Sequence, residues 1–451
     1  RDASQFGPSC PQATTFNPFL PLGPISEDCL YLNVYTPNSS NRGRHSHPVL
    51  VWIHGGGLTE DGARNYDGSK LAAEGIIVVT IDYRLGALGF LANPALATRP
   101  GGPSGNYGLI DQQAALRWVQ RNIARFGGDR RRVTIAGQSA GGLSVLAHLV
   151  SRGSRGLFQR AIVQSGAFAL NQRSLADAEA SGEQFASAVG CSQNTADCLR
   201  QAPVEDLVNN FGVEIPGDVD GSVLTEPIGT ALDQGKFAHV PILDGITHDE
   251  ERLFVDALGI AVSNGTNVLV PERPVTNDNY QSNIAGALGV SQQRAAAIAA
   301  GYPLASYPSA DVAFSTLMSD ANFACPALRI DRLTAGRHST FAYQFNDDNA
   351  PFVLAPPGQF PAVATHDSEL PYLFDQPNTP VPATLDADQQ ALAATMRAAW
   401  ANFVAYGDPS SIALPWPSFA HAGSVMSLTT PQSTVTSDAE SLHRCSFWSA
   451  G

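Results

Sequence analysis

The sequence predicts an α/β protein, a mostly parallel sheet covered by helices on both faces, and three observations carry that prediction. Short β-branched runs alternate with longer helical patterns along the chain. One run, 132–136, passes through a tight glycine-rich turn straight into a helical stretch, 142–150. With 43% hydrophobic and 15% charged residues, the 451 residues can bury one large core. Division by length alone suggests three domains, but a single core with excursions fits better, because no repeat, low-complexity tract or linker interrupts it. In order, strands are expected near 31–35, 49–53, 76–81, 133–136, 161–164, 241–244, 340–345 and 425–428. Helices are expected near 110–125, 141–150, 177–189, 291–300, 321–334 and 387–406. From 171 to 240 and from 255 to 335 the chain turns Ala-, Gln- and Asn-rich and helical, so these stretches are expected to be excursions that roof the site and line a gorge.

The turn is Gly137-Gln138-Ser139-Ala140-Gly141, set between the buried strand Arg132-Val133-Thr134-Ile135-Ala136 and a helix beginning at Gly142. A serine pinned in a strand-to-helix turn is a nucleophile elbow. Small residues at 137, 140 and 141 permit the tight turn, and the helix aims its first N–H groups and partial positive charge at the same spot. A second motif follows the hydrophobic strand Pro48–Ile53, namely His54-Gly55-Gly56-Gly57. Acyl transfer builds negative charge on a carbonyl oxygen, which preorganised backbone N–H groups stabilise best. Three glycines let the backbone approach that oxygen closely. A phosphate-binding loop would end in Gly-Lys-Ser/Thr, and this one does not.

An elbow serine needs a base and an acid, which follow it in the order acid, then histidine. Pro241-Ile242-Leu243-Asp244-Gly245 reads as a strand that delivers Asp249, Glu250 and Glu251 just past its C-terminal end, where catalytic loops of open α/β sheets gather. A solvated acidic turn is the expected role of at least one of the three. Four histidines follow: His338 after a helical stretch, His366 in a loop leading into an apolar segment, and His421 and His443 near Cys445. The residues alone leave both choices open. His248 beside the carboxylates could suggest a metal site, but no ligand cluster with zinc-like spacing occurs in the sequence, and no metal or cofactor is expected.

The net charge of −14 argues against nucleic acid or an anionic membrane as partner. Arg130-Arg131-Arg132 is the only basic run and is expected to be a solvated turn before the elbow strand. No apolar run reaches membrane-spanning length. Asn38-Ser39-Ser40 and Asn264-Gly265-Thr266 are glycosylation sequons, meaningful in a eukaryotic source.

Over nearly its full length the chain resembles the type-B carboxylesterase family, which includes the cholinesterases, within the α/β-hydrolase fold. The resemblance is carried, in the family's order, by Glu27-Asp28-Cys29-Leu30-Tyr31-Leu32-Asn33-Val34, Trp52–Gly57, Tyr66-Asp67-Gly68, Asp82-Tyr83-Arg84-Leu85-Gly86, Gly105–Gln112 and Phe126-Gly127-Gly128-Asp129. It implies oxyanion donors at Gly56, Gly57 and Ala140. It selects Glu250 as the acid, from a family triplet Asp-Glu-Gly that Asp249-Glu250-Glu251 matches except at its third position. It selects His366 as the base, through a His-x-x-Glu pattern matched by His366 to Glu369 and followed by apolar residues. It places a supporting serine at Ser165 and pairs the six cysteines as Cys10–Cys29, Cys191–Cys198 and Cys325–Cys445. It also implies that the chain starts inside the family pattern, without its first antiparallel strands: either the numbered chain omits an N-terminal piece or the protein tolerates its loss, and a missing edge strand would expose unpaired backbone groups.

The implied activity is that of a secreted or periplasmic serine ester hydrolase working through an acyl-enzyme on short- or medium-chain esters of small molecules. The acid limb of its activity is expected where histidine titrates, about pH 6–7. Phe16-Asn17-Pro18 stands where cholinesterases carry the tryptophan that stacks on choline, and phenylalanine is the poorer cation platform, so a cholinesterase is not expected. A lipase, or an esterase for bulky toxin or phenolic esters, is the alternative. Family members that serve in adhesion lack the elbow serine, whereas Ser139 is present here.

Overall fold

The computed structural model describes residues 3, 5–13, 23–37, 46–97, 99, 102–211, 217–263, 266–270, 273–354, 361–376, 378, 379 and 381–449. Phe16-Asn17-Pro18 and the asparagines of both sequons lie outside these residues. Nine strands form one sheet: β1 (Leu32–Tyr35), β2 (His47–Ile53), β3 (Ile77–Ile81), β4 (Gly128–Gln138), β5 (Arg160–Gln164), β6 (Ile242–Thr247), β7 (Thr340–Phe345), β8 (Val425–Leu428) and β9 (Thr434–Thr436). Their spatial order is β1-β3-β2-β4-β5-β6-β7-β8-β9. Only the outer pairs, β1 with β3 and β8 with β9, run antiparallel; the ladder between them is parallel.

Alternate side chains of these strands enter two separate buried layers, as the two-residue period of a strand requires. In β2, Val49, Val51 and Ile53 join one layer, and Leu50 and Trp52 the other. The first layer is closed by α1 (Tyr107–Asn122) and α2 (Ala140–Val150). Beyond β6 the chain adds α3 (Tyr280–Leu288), α4 (Gln292–Gly301) and α5 (Ala310–Ser319), whose apolar faces form a small core of their own around Ile284, Ile298 and Phe314. Helix α6 (Cys325–Ala335) returns to the first layer, and α7 (Ala387–Tyr406) closes the second with Met396, Trp400 and Phe403. The expected α/β-hydrolase architecture is present, with helices on both faces.

The differences are local. The stretch expected to be helical from 321 opens with a wide turn at Asp320–Ala324 that continues directly from α5, with Cys325 N–H donating to Asp320 O, and the regular helix resumes at Cys325 beside Pro326, whose missing N–H interrupts the α-helical ladder there. Strand β9 is three exposed or half-buried residues with no apolar alternation to reveal it. Arg130-Arg131-Arg132 is not a turn but the opening of β4, with Asp129 paired to Arg131 at 3.6 Å and to Arg132 at 3.2 Å. Disulfides join Cys10–Cys29, Cys191–Cys198 and Cys325–Cys445, with Cα atoms 4.9, 5.4 and 5.1 Å apart.

Below the site, Asp244 of β6 and Asp331 of α6 are both buried, and both Asp244 oxygens and one Asp331 oxygen have no hydrogen-bond partner. Burial holds the Asp244 carboxyl well above its ordinary range; burial and the Asp244 charge do the same for Asp331. A carboxyl that keeps its proton in the fold but loses it when unfolded makes stability fall as pH rises, from about pH 4 up to the folded-state pKa. Asp244→Asn removes this titration. The unfolding free energy of the wild type is expected to fall more steeply between pH 5 and pH 9 than that of the variant, by about 1.4 kcal/mol per pH unit for each proton retained, and its melting temperature to fall with it. Equal slopes in a thermal melt series would show that Asp244 is not the group that holds a proton.

Candidate active site

The strands of the parallel ladder all point their C-terminal ends to one edge, and four of the loops leaving that edge bring the expected residues together. Ser139 follows β4 with φ 56° and ψ −125°, a left-handed conformation that costs a non-glycine residue on the order of 1–3 kcal/mol. The turn is held from both sides, by Ser139 N–H donating to Gln164 O at 2.8 Å and Leu143 N–H donating to Ser139 O at 2.9 Å. Glycine is required beside it: a Cβ on Gly141 would lie 2.0 Å from Ile53 O. The Ser139 side chain does not cap α2, and the residue is half-buried between two fully buried stretches, so its hydroxyl faces outward from the elbow.

The loop after β2 abuts the serine, since a Cβ on Gly55 would stand 3.1 Å from Ser139 Cβ. Gly56 (φ 79°) and Gly57 (φ 62°) take conformations that favour glycine, and Thr59 and Glu60 N–H donate back to Gly56 O, each at 3.0 Å. His54 is clamped beneath by stacking on Tyr83 at 4.4 Å, whose hydroxyl donates to His54 O at 2.8 Å. The N–H groups of Gly56, Gly57 and Ala140 find no acceptor among the described residues, so three donors are left for a ligand oxygen.

Glu250 follows β6 and is fully buried. Its Oε1 accepts from Thr247 N–H at 3.0 Å and its Oε2 from His366 Nδ1 at 2.5 Å. The two loops are sewn together by Asp249 N–H donating to Ala364 O at 2.9 Å and Leu253 N–H donating to Thr365 Oγ1 at 2.8 Å. Phe254 and Phe323 wall the imidazole at 5.0 and 5.4 Å. Nε2 of His366 faces the Gln138 side chain, 3.1 Å from its Nε2, and Ser139 Oγ makes no hydrogen bond to it in this state.

Burial alone would lower the His366 pKa; the charges of Glu250 and Asp367, the hydrogen bond to Glu250 and the charge of Glu369 outweigh it and push it up to about 9. An acid limb of activity set by this ring is expected above pH 6–7, because only the neutral ring accepts a proton. Burial raises Asp367 to about 6 and Glu369 to about 8. Glu369 accepts from Gln164 Nε2 at 3.0 Å, and Trp400 Nε1 donates to Gln164 Oε1 at 3.0 Å.

Of the four candidate histidines, only His366 is bonded to Glu250, and its Nε2 meets the side chain of Gln138, the residue before the elbow serine. His338 lies against His239, ring centres 5.1 Å apart, just before β7. His421 sits in the turn before β8, and His443 is buried on Asp320 at 2.6 Å and Gln344 at 3.1 Å. Neither neighbour of Glu250 is a solvated turn residue. Asp249 is buried between His248 (2.7 Å) and Arg252 (2.9 Å), and Glu251 is buried with its N–H donating to Ser319 Oγ at 3.0 Å. Ser165 is buried at the end of β5, and its hydroxyl has no partner, so it makes no bond to this group. Sequence reasoning passed over Gln138, although its place directly before the elbow serine was the available signal.

A model of the carboxylesterase family matches residues 1–448. The chain belongs to the carboxylesterase family. This carboxylesterase is 34% identical over 446 residues to the pyrethroid hydrolase Ces2e of Rattus norvegicus, spanning 94% of this chain and 74% of that protein. It is 33% identical over 457 residues to the cocaine esterase of Homo sapiens, spanning 96% and 77%. A solved structure of PNB esterase matches with a TM-score of 0.80 and 30% identity over 98% of this chain and 88% of the other. The carboxylesterase is thus an ester-hydrolysing enzyme, and no helix among its described residues is long and apolar enough to cross a membrane.

Proposed function

We propose that this carboxylesterase cleaves short- or medium-chain esters through an acyl-enzyme, with Ser139 as nucleophile, His366 as base and Glu250 as the group that orients it. The observation that carries this reading is the 2.5 Å bond from His366 Nδ1 to a buried Glu250, set beside a strained serine and three free N–H donors. Glu250 fixes the proton on Nδ1 and leaves Nε2 as the base. Ser139 Oγ attacks the ester carbon as its proton passes to Nε2, and Gly56, Gly57 and Ala140 hold the oxyanion. Collapse expels the alcohol, which takes the proton from Nε2, and water then repeats the sequence to release the acid and restore Ser139.

The excursions 171–240 and 255–335 are read as the walls of the gorge, supported by the contact of Phe323, from the second of them, with the imidazole. An extracytoplasmic location is supported by three disulfides that leave no cysteine free. Relatives named for pyrethroids and cocaine favour, as a second reading, esters with a bulky group.

Hydrolysis of p-nitrophenyl esters from acetate to palmitate tests the reading. The rate is expected to peak at short or medium acyl chains. Activity that rises with chain length, most steeply above substrate solubility, would make the enzyme a lipase instead. Silence from folded protein with all of these, together with turnover of pyrethroid-type esters, would favour the bulky-ester reading.

A further inference from the structure

Gln138 is the last residue of β4, 1% exposed, and its backbone is fixed by its register partner Gln164. Its side chain spans the site. The Oε1 end lies toward the oxyanion loop, 3.2 Å from where a Gly55 Cβ would stand, and the Nε2 end is 3.1 Å from His366 Nε2. With Nδ1–H committed to Glu250, neutral His366 has a single lone pair left, on Nε2. The Gln138 amide donates into that lone pair, the one that must receive the Ser139 proton in the proposed mechanism.

We propose that Gln138 is a positioning residue that holds the Nε2 edge of His366 in the resting enzyme and yields it to Ser139 when substrate binds. This rests on the triad reading above. An amide suits the task because it serves both charge states. It donates to the neutral ring through Nε2 and, turned over, accepts from the imidazolium through Oε1. A carboxylate could only accept, and would favour the imidazolium. The charged groups facing the ring are Glu250 from the loop after β6 and Asp367 and Glu369 from its own loop, while Asp61 of the oxyanion loop acts on Asp367; the other walls, Phe254 and Phe323, are apolar. The ring therefore already stands among three acidic side chains, and a neutral partner at 138 avoids adding a fourth.

The test is the pH dependence of kcat/KM for p-nitrophenyl acetate in Gln138→Glu, Gln138→Asn and wild type, with Ser139→Ala alongside. Glu at 138 is nearly isosteric and is expected to move the acid limb up by about 1 pH unit or more, the usual effect of a carboxylate beside a cation. Asn is one methylene short of the ring. It is expected to lower kcat about tenfold with KM and the limb little changed, as loss of an orienting contact does. A folded Glu variant whose limb coincides with wild type overturns the proposal. So does an Asn variant with wild-type kcat. If the Glu variant does not fold, the far-downfield Nδ1–H proton resonance of the Asn variant decides, since a resonance identical to wild type means that residue 138 does not touch the ring. These outcomes count only against a silent Ser139→Ala. An active Ser139→Ala would remove the triad reading itself.

Discussion

Ser139→Ala is expected to lower kcat for p-nitrophenyl acetate by about a million-fold, leaving the small rate that substrate binding and the oxyanion donors supply without a nucleophile. The fold should not notice. Ser139 does not cap its helix, and its backbone is held through its own N–H and C=O, so alanine keeps every bond of the turn. It also keeps the left-handed φ of 56°, and the melting temperature should be nearly unchanged. Ser139→Gly should be equally inactive, yet more stable than the alanine variant by about 1 kcal/mol, because glycine relieves that backbone. Steady-state kinetics and thermal melts on the two variants check both halves. Turnover within tenfold of wild type would place the nucleophile elsewhere.

Glu250→Gln is expected to cost about 10⁴ in kcat with the fold intact. A glutamine can still accept the Thr247 N–H through its oxygen, but its amide nitrogen then faces His366 Nδ1 and donates to it. The ring must shift its proton to Nε2, and the base has no lone pair for the serine. The flanking carboxylates provide the control. Asp249 is engaged by His248 and Arg252 on a separate side of the loop, and its loss should weaken the docking of that loop, a matter of stability rather than of chemistry. If Asp249→Ala or Glu251→Ala silenced a folded enzyme and Glu250→Gln kept near-full rate, the acid would be misassigned.

Much of this was legible before any coordinates, and the reasons differ from residue to residue. The strands were readable because a parallel sheet buried on both faces writes itself as near-continuous apolar runs, as in Ile77–Ile81. Ser139 and the three glycines were readable because a tight turn and a close backbone approach each admit few residue types. His366 was not readable from spacing, since four histidines satisfy the order and only the folding of a loop 116 residues away from Glu250 separates them. The resemblance supplied that choice, and the structure places His366 on Glu250. The proton affinity of His366 was read too low because it depends on the convergence of Asp367, Glu369 and Glu250 in a dry site, which no local pattern reports. Asp249 and Glu251 were misjudged for the reverse reason: an acidic run looks solvated unless the arginine and the serine that bury it are seen.

The Cys325–Cys445 bridge has a consequence for the life of the enzyme outside a test tube. The loop that it closes contains His366, while Ser139 and Glu250 lie ahead of it. A protease that cuts the main chain once between 326 and 444 would therefore not release either piece. The segment carrying the base stays leashed to the body on both sides of the cut, at a local concentration that free fragments reach only in the millimolar range. A nicked molecule of this kind would run as one band without reductant and as two with it, and it would have every means to find its working arrangement again.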